Sequence, residues 1–145
     1  YFNGDIKKGV KAFFYQYNEM IETEEFDIVG HFDKIKMHNR DRYFHEEDKW
    51  YRDLLMETLT LIKEKSLIVE VNTRGIYKKR SSDFYPSTWV FPIMKEMNIP
   101  VVISSDAHKP EELTLCFDEA EKALKAAGYK ETMCFQNGGF ISRGL

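Results

Sequence analysis

Apolar residues at helical spacing open the chain. Val10, Phe13, Phe14, Tyr17 and Ile21 recur every three or four positions, so they share one face of a helix predicted from about Asp5 to Thr23. The period then changes. Phe26 to Gly30 is a short apolar run ending at Gly30-His31, and it reads as a strand. Polar residues from Lys34 to Asp48 predict a loop with one turn of helix. A second helix follows from about Glu46 to Lys65, with Tyr51, Leu54, Leu55, Thr58 and Ile62 facing inward. Leu67 to Val71 is the next strand, and it runs into Asn72-Thr73-Arg74-Gly75. After a basic, polar loop from Tyr77 to Tyr85, Pro86-Ser87 starts a helix with Ser87 as N-cap, ending near Asn98. Val101 to Ser104 is a third strand, mostly β-branched and suited to burial on both faces. Pro110-Glu111-Glu112 opens a fourth helix with Leu113, Phe117, Ala120 and Leu124 inward, capped at Gly128. Met133 to Phe135 is a last strand, ending at Gln136-Asn137-Gly138-Gly139.

Strands alternating with helices of this length are the pattern of βαβ units, so the fold class is α/β with a parallel sheet. Four such units are about half of a closed barrel. A half-barrel leaves apolar strand edges exposed, which predicts a partner: an N-terminal half, or a second copy of the chain. The chain opens at Tyr1-Phe2-Asn3 rather than at methionine and enters a helix pattern almost at once, so residues 1–145 are expected to be one portion of a longer domain.

Composition narrows the class further. With 43% hydrophobic and 14% aromatic residues the chain is globular. A net charge of −3 gives no bulk electrostatic support to nucleic-acid binding. No apolar run approaches the roughly 18 to 20 residues that span a bilayer, and no secretory pattern is present, so neither a membrane nor export is expected. Cys116 and Cys134 read as two reduced thiols of a cytoplasmic protein rather than as a disulfide framework.

The chemistry gathers where strands end. His31 and Asp33 follow the first strand. Asn72, Thr73 and Arg74 follow the second, Ser105, Asp106 and His108 the third, Gln136 and Asn137 the fourth. In a parallel barrel these positions share the rim that carries the active site. His31, Asp106 and His108 supply imidazole and carboxylate donors without thiolates, a set suited to zinc, manganese or iron. Gly30 is expected to let the backbone turn sharply into His31. Asp33 reads either as an acceptor that orients His31 or as a loop aspartate. Arg74 has the planar fork for a phosphate dianion, but its loop, with Lys78, Lys79 and Arg80, equally suits a solvated face. His38 and His45 are expected on the solvated surface. Ser104 and Ser105 lack a Gly-x-Ser-x-Gly elbow, and neither a phosphate loop of Walker type nor a Rossmann fingerprint occurs; Asn137-Gly138-Gly139 reads as a turn.

These residues carry a resemblance. Phe26-Asp27-Ile28-Val29-Gly30-His31-Phe32-Asp33, Glu70-Val71-Asn72-Thr73-Arg74-Gly75, Tyr85-Pro86-Ser87 and Ser104-Ser105-Asp106-Ala107-His108-Lys109-Pro110, in this order, resemble the C-terminal half of a histidinol-phosphate phosphatase of the PHP (polymerase and histidinol phosphatase) superfamily. The resemblance covers about residues 5 to 135. It implies part of a distorted seven-stranded (β/α) TIM-like barrel with three metal ions at its rim. It implies His31, Asp106 and His108 as metal ligands, with Asp106 and His108 in the catalytic centre and Arg74 and Asn72 on the substrate. The implied reaction is hydrolysis of L-histidinol phosphate in histidine biosynthesis.

The family also carries a His-x-His motif and further His and Glu ligands ahead of this region. The chain has no His-x-His, and its first histidine is His31. The 145 residues alone are therefore expected to bind metal weakly and to turn over little. Two further readings stay open: a non-catalytic remnant that serves as an association module, and a PHP-type nuclease or polymerase-associated domain.

Overall fold

A computed structural model describes residues 2–37 and 39–145. The readings placed on Tyr1 and His38 lie outside the described residues. The elements are α1 (Ile6–Thr23), β1 (Ile28–Val29), α2 (Lys49–Glu64), β2 (Ile68–Asn72), α3 (Arg74–Tyr77), α4 (Phe91–Glu96), β3 (Val101–Ser104), α5 (Phe117–Ala126), β4 (Glu131–Gln136) and β5 (Gly139–Gly144). Single 3-10 turns cover Phe2–Gly4, Lys34–Lys36, Thr88–Val90 and Pro110–Glu112.

The alternation of patterns produces a parallel sheet of order β1-β2-β3. Its register sets Val69 beside both Val29 and Val101, and Asn72 beside Ser104. All five residues of β2 are buried, as a central strand covered on both faces requires. Helices α1 and α2 pack through Phe14 and Tyr51, whose rings meet edge to face at 5.9 Å. Phe14, Ile21, Tyr51, Leu55, Leu59, Ile62, Val69, Val71, Phe91, Met94 and Leu124 form one continuous core. The side chain of Asp5 accepts from the Lys8 N–H at 2.9 Å and caps α1. Gly128, at φ 93°, ends α5: its N–H reaches Lys125 O, and the Tyr129 N–H reaches Leu124 O, a Schellman closure.

Four expectations fail here. Pro110 does not open α5. It opens a single 3-10 turn that ends at Glu112, and Cys116 in the left-handed region (φ 61°) precedes the new helix, which leaves Leu113 63% exposed rather than inward. Ser87 precedes only a 3-10 turn and does not cap it, because its hydroxyl is spent on Glu46 and Lys36. The loop after β2 begins with a helical turn, α3. Finally, β4 is not a fourth parallel strand. It pairs antiparallel with β5 in its own two-stranded sheet, and the exposed Gln136 and Asn137 stand at the hairpin end. Asn137 (φ 52°) and Gly138 (φ 83°) both take the left-handed conformation that a two-residue hairpin turn demands.

Candidate metal and phosphate site

The register explains what meets at the sheet's mouth. Just past the last paired residues of the three strands stand His31, Arg74 and Asp106. His31 (φ 57°) and Asp106 (φ 48°) are both non-glycine residues in the left-handed region. Such residues are sparsely populated and recur where a fold holds a side chain in place for function. Here the turn falls on the candidate residues themselves. The expectation that Gly30 makes the turn is corrected: Gly30 is not in the left-handed region. Glycine is needed there for another reason, because a Cβ would lie 3.1 Å from Glu70 Oε2.

That Glu70 oxygen accepts the His31 backbone N–H at 3.0 Å. The phenol of Tyr17 donates to Gly30 O at 2.5 Å, and burial, reinforced by the nearby Glu70 charge, raises its pKa far above the usual value, so it stays a donor. The His31 ring then projects with Nε2 3.3 Å from Asp106 Oδ2 and 3.3 Å from Asn72 Nδ2. The Asn72 amide is oriented by the Arg74 N–H, which donates to its Oδ1 at 2.9 Å. Asn72 can therefore only donate toward Nε2, while Asp106 can only accept from it. One nitrogen cannot serve both. Nε2 either carries a proton for Asp106 or offers its lone pair to Asn72; a cation between Nε2 and Asp106 would take that lone pair in place of the Asn72 N–H.

Around Asp106 the loops from β2 and β3 are laced together. Arg74, with 11% of its side chain exposed, places Nη1 against Asp106 O and 2.6 Å from His108 Nδ1, and Nε 3.6 Å from Asp106 Oδ2. Tyr77 donates to Ser105 O at 2.7 Å. Glu112 is buried, although the sequence places it in the acidic first turn of a helix. Its Oε1 pairs with Lys78, and its Oε2 accepts the His108 N–H at 3.0 Å. The Lys78 bond, then the His108 N–H, hold its carboxyl down at about 2. Thr73 and Ser105 donate to Leu115 O and Leu113 O and fasten the following loop.

Of the predicted residues, the fold brings together His31, Asn72, Arg74, Asp106 and His108. His108 has 64% of its side chain exposed, and its Nδ1 is 3.8 Å from Asp106 Oδ1. Among the described residues, no three His, Cys, Asp or Glu side chains are grouped to hold a metal ion. The donors fit a divalent ion in kind, and His31 and Asp106 converge on one point, but they fall short in number. Lys78 lies in the Glu112 pair, while Lys79 and Arg80 are exposed. His45 is exposed as expected, and both cysteines are free. No helix is long and apolar enough to cross a membrane among the described residues.

Of the two readings of Asp33, the loop aspartate holds, directly before the Lys34–Lys36 turn. It does not touch His31. It is fully buried, 2.8 Å from Lys36 Nζ and 2.9 Å from the Ser87 N–H. Lys36 also meets Ser87 Oγ, and Glu46 accepts from Ser87 (2.6 Å) and from the Trp89 indole (2.8 Å). This polar cluster ties the His31 turn to the Tyr85-Pro86-Ser87 segment. Glu70 and Glu112, which hold the His31 and His108 backbone, were missed in the sequence. A lone carboxylate inside the apolar run Ile68-Val69-Glu70-Val71 was the signal for the first; nothing distinguished the second from Glu111.

No protein-family model matches the chain. Over 104 residues it is 30% identical to a "Probable histidinol-phosphatase" of Deinococcus radiodurans, covering 71% of the chain and 36% of that protein. It is 24% identical to the histidinol-phosphatase of Saccharomyces cerevisiae, covering 92% of the chain and 46% of that protein. The chain thus spans less than half the length of these curated relatives. In fold it is similar to the crystal structure of histidinol phosphate phosphatase from Lactococcus lactis complexed with zinc, L-histidinol and phosphate, at a TM-score of 0.71 and 20% identity, covering 93% of the chain and 51% of that structure. In sequence and in fold, then, the chain is similar to a part of the histidinol-phosphatases.

Proposed function

We propose that these residues form part of a metal-dependent phosphomonoesterase whose substrate is L-histidinol phosphate, released as L-histidinol and phosphate. What carries this reading is the convergence of His31 Nε2 and Asp106 Oδ2 at 3.3 Å, with the Arg74 guanidinium beside them, at the mouth of a parallel sheet. The names of the relatives, and the zinc, L-histidinol and phosphate in the Lactococcus structure, support the substrate.

In this reading His31, Asp106 and His108 hold divalent metal, with the sheet forming the later part of a distorted seven-stranded barrel. The remaining ligands of a three-metal cluster come from polypeptide outside these 145 residues, or from a partner chain. Bound metal, zinc by the Lactococcus precedent, supplies an activated water and neutralises charge on phosphoryl oxygens. The chain's own part is positioning. Arg74 presents a fork of N–H donors matched to two phosphoryl oxygens. Asn72 fixes the backbone of Arg74 and one side of His31. Tyr17 and Glu70 hold the His31 turn. The absence of a three-donor group among the described residues favours a second reading, a non-catalytic association module, for the 145 residues taken alone.

The test is zinc-dependent phosphate release from L-histidinol phosphate by the longest polypeptide containing these residues, beside its Asp106→Ala variant. Loss of at least about a hundredfold in the variant is expected, the scale seen when a charge-stabilising group is removed from an active site. Undiminished turnover in the variant would overturn the proposal.

A further inference from the structure

The contacts of Arg74 constrain His108 more tightly than its exposure suggests. Arginine carries five N–H donors, has no acceptor and keeps its charge. Its Nη1 lies 2.6 Å from His108 Nδ1, so in that contact Nδ1 must be the lone-pair nitrogen, with the ring proton on Nε2. The same Nδ1 lies 2.9 Å from Asp106 O, an acceptor, to which it can only donate. The two contacts exclude each other. His108 therefore has two arrangements of equal charge. In one, Arg74 caps Nδ1 and Nε2 carries the proton. In the other, Arg74 has withdrawn, Nδ1–H donates to Asp106 O, and the Nε2 lone pair is open.

Only the second arrangement offers Nε2 to a metal. Ligation through Nδ1 likewise requires Arg74 to leave. The guanidinium also stands 3.6 Å from Asp106 Oδ2, the oxygen that faces His31. In the capped arrangement Nη1 also lies 3.8 Å from Glu112 Oε2, so that carboxylate flanks the guanidinium.

We propose that Arg74 is an internal competitor for divalent metal: its guanidinium caps His108 Nδ1 and shields Asp106, and metal binds the fraction of molecules in which it has withdrawn. The proposal rests on the reading of Asp106 and His108 as metal ligands. Apparent affinity falls by the fraction of competent molecules, so removing the cap strengthens binding. A residue that merely braces the loop would do the opposite when removed.

The experiment is a zinc titration of the chain and of its Arg74→Met, Arg74→Lys and Asp106→Ala variants, each shown to be folded by thermal melting. Arg74→Met is expected to bind zinc roughly tenfold tighter, within the usual range of coupled equilibria. Arg74→Lys, which keeps the charge without the fork, should fall between. Unchanged or weaker binding in a folded Arg74→Met variant overturns the proposal. Asp106→Ala tests the underlying reading separately, since undiminished zinc binding there removes the metal site itself. Independently of any variant, the ¹⁵N shifts of the His108 ring in the zinc-free chain should report the proton on Nε2; a proton on Nδ1 overturns the capping.

Discussion

His31 and Asp106, 75 residues apart in sequence, bring Nε2 and Oδ2 to 3.3 Å across the ends of β1 and β3. Both take the left-handed backbone conformation, and both are held by neighbours rather than by their own preference. Glu70 and Tyr17 fix the first turn. Ser104 Oγ accepts the Asp106 N–H at 3.2 Å in the second, while Arg74 covers its carbonyl.

Gly30→Ala tests how His31 is held. The new Cβ would sit 3.1 Å from Glu70 Oε2, so that carboxylate must give by a few tenths of an ångström and its bond to the His31 N–H lengthens. Weakening a hydrogen bond to a charged acceptor predicts a stability decrease of up to about 1.5 kcal/mol, together with faster exchange of the His31 amide. Urea unfolding and hydrogen exchange read both. An unaltered His31 amide would show that Glu70 does not hold the turn.

The Asp33–Lys36 pair should behave as a buried ion pair. Burial raises the Asp33 pKa, and the Lys36 ammonium opposes that rise. Lys36→Met leaves the carboxyl buried without its cation and should cost about 3 to 5 kcal/mol, whereas Asp33→Asn with Lys36→Met should recover a large part of this. Chemical denaturation of the double-mutant cycle measures the coupling, and additive losses would count against it.

Glu112 predicts a pH signature. Its carboxyl is lowered from 4.5 to about 2, so its stabilisation is complete above the unfolded value near 4.5 and is lost as pH falls toward 2. The stability difference between the chain and its Glu112→Gln variant should therefore be largest above pH 4.5 and shrink below it. Thermal melts between pH 2 and 6 follow it; a difference independent of pH would mean that Lys78 does not hold the carboxylate.

The parallel sheet was legible because Val101 to Ser104 and Leu67 to Val71 are apolar and β-branched, and each ends in a polar cluster. His31, Asn72, Arg74, Asp106 and His108 could be named from those ends. What escaped depended on tertiary packing. Glu112 turns inward only because Lys78 and the His108 N–H await it. Asp33, two residues from His31, points into the core instead because Lys36 and Ser87 lie there. The hairpin was a missed local signal: Asn137-Gly138 between two apolar runs asks for a tight turn and a second strand, and reading Gln136-Asn137 as a rim overlooked Phe140 and Ile141 beyond it.

The central claim is that His31 and Asp106 hold one divalent ion between them. Anomalous scattering at the zinc absorption edge, from crystals of the chain grown with zinc, tests it most directly. The account predicts a zinc peak about 2.0 to 2.2 Å from both His31 Nε2 and an Asp106 carboxylate oxygen. Zinc bound elsewhere, with His31 Nε2 and Asp106 Oδ2 still facing each other unbridged, would contradict it.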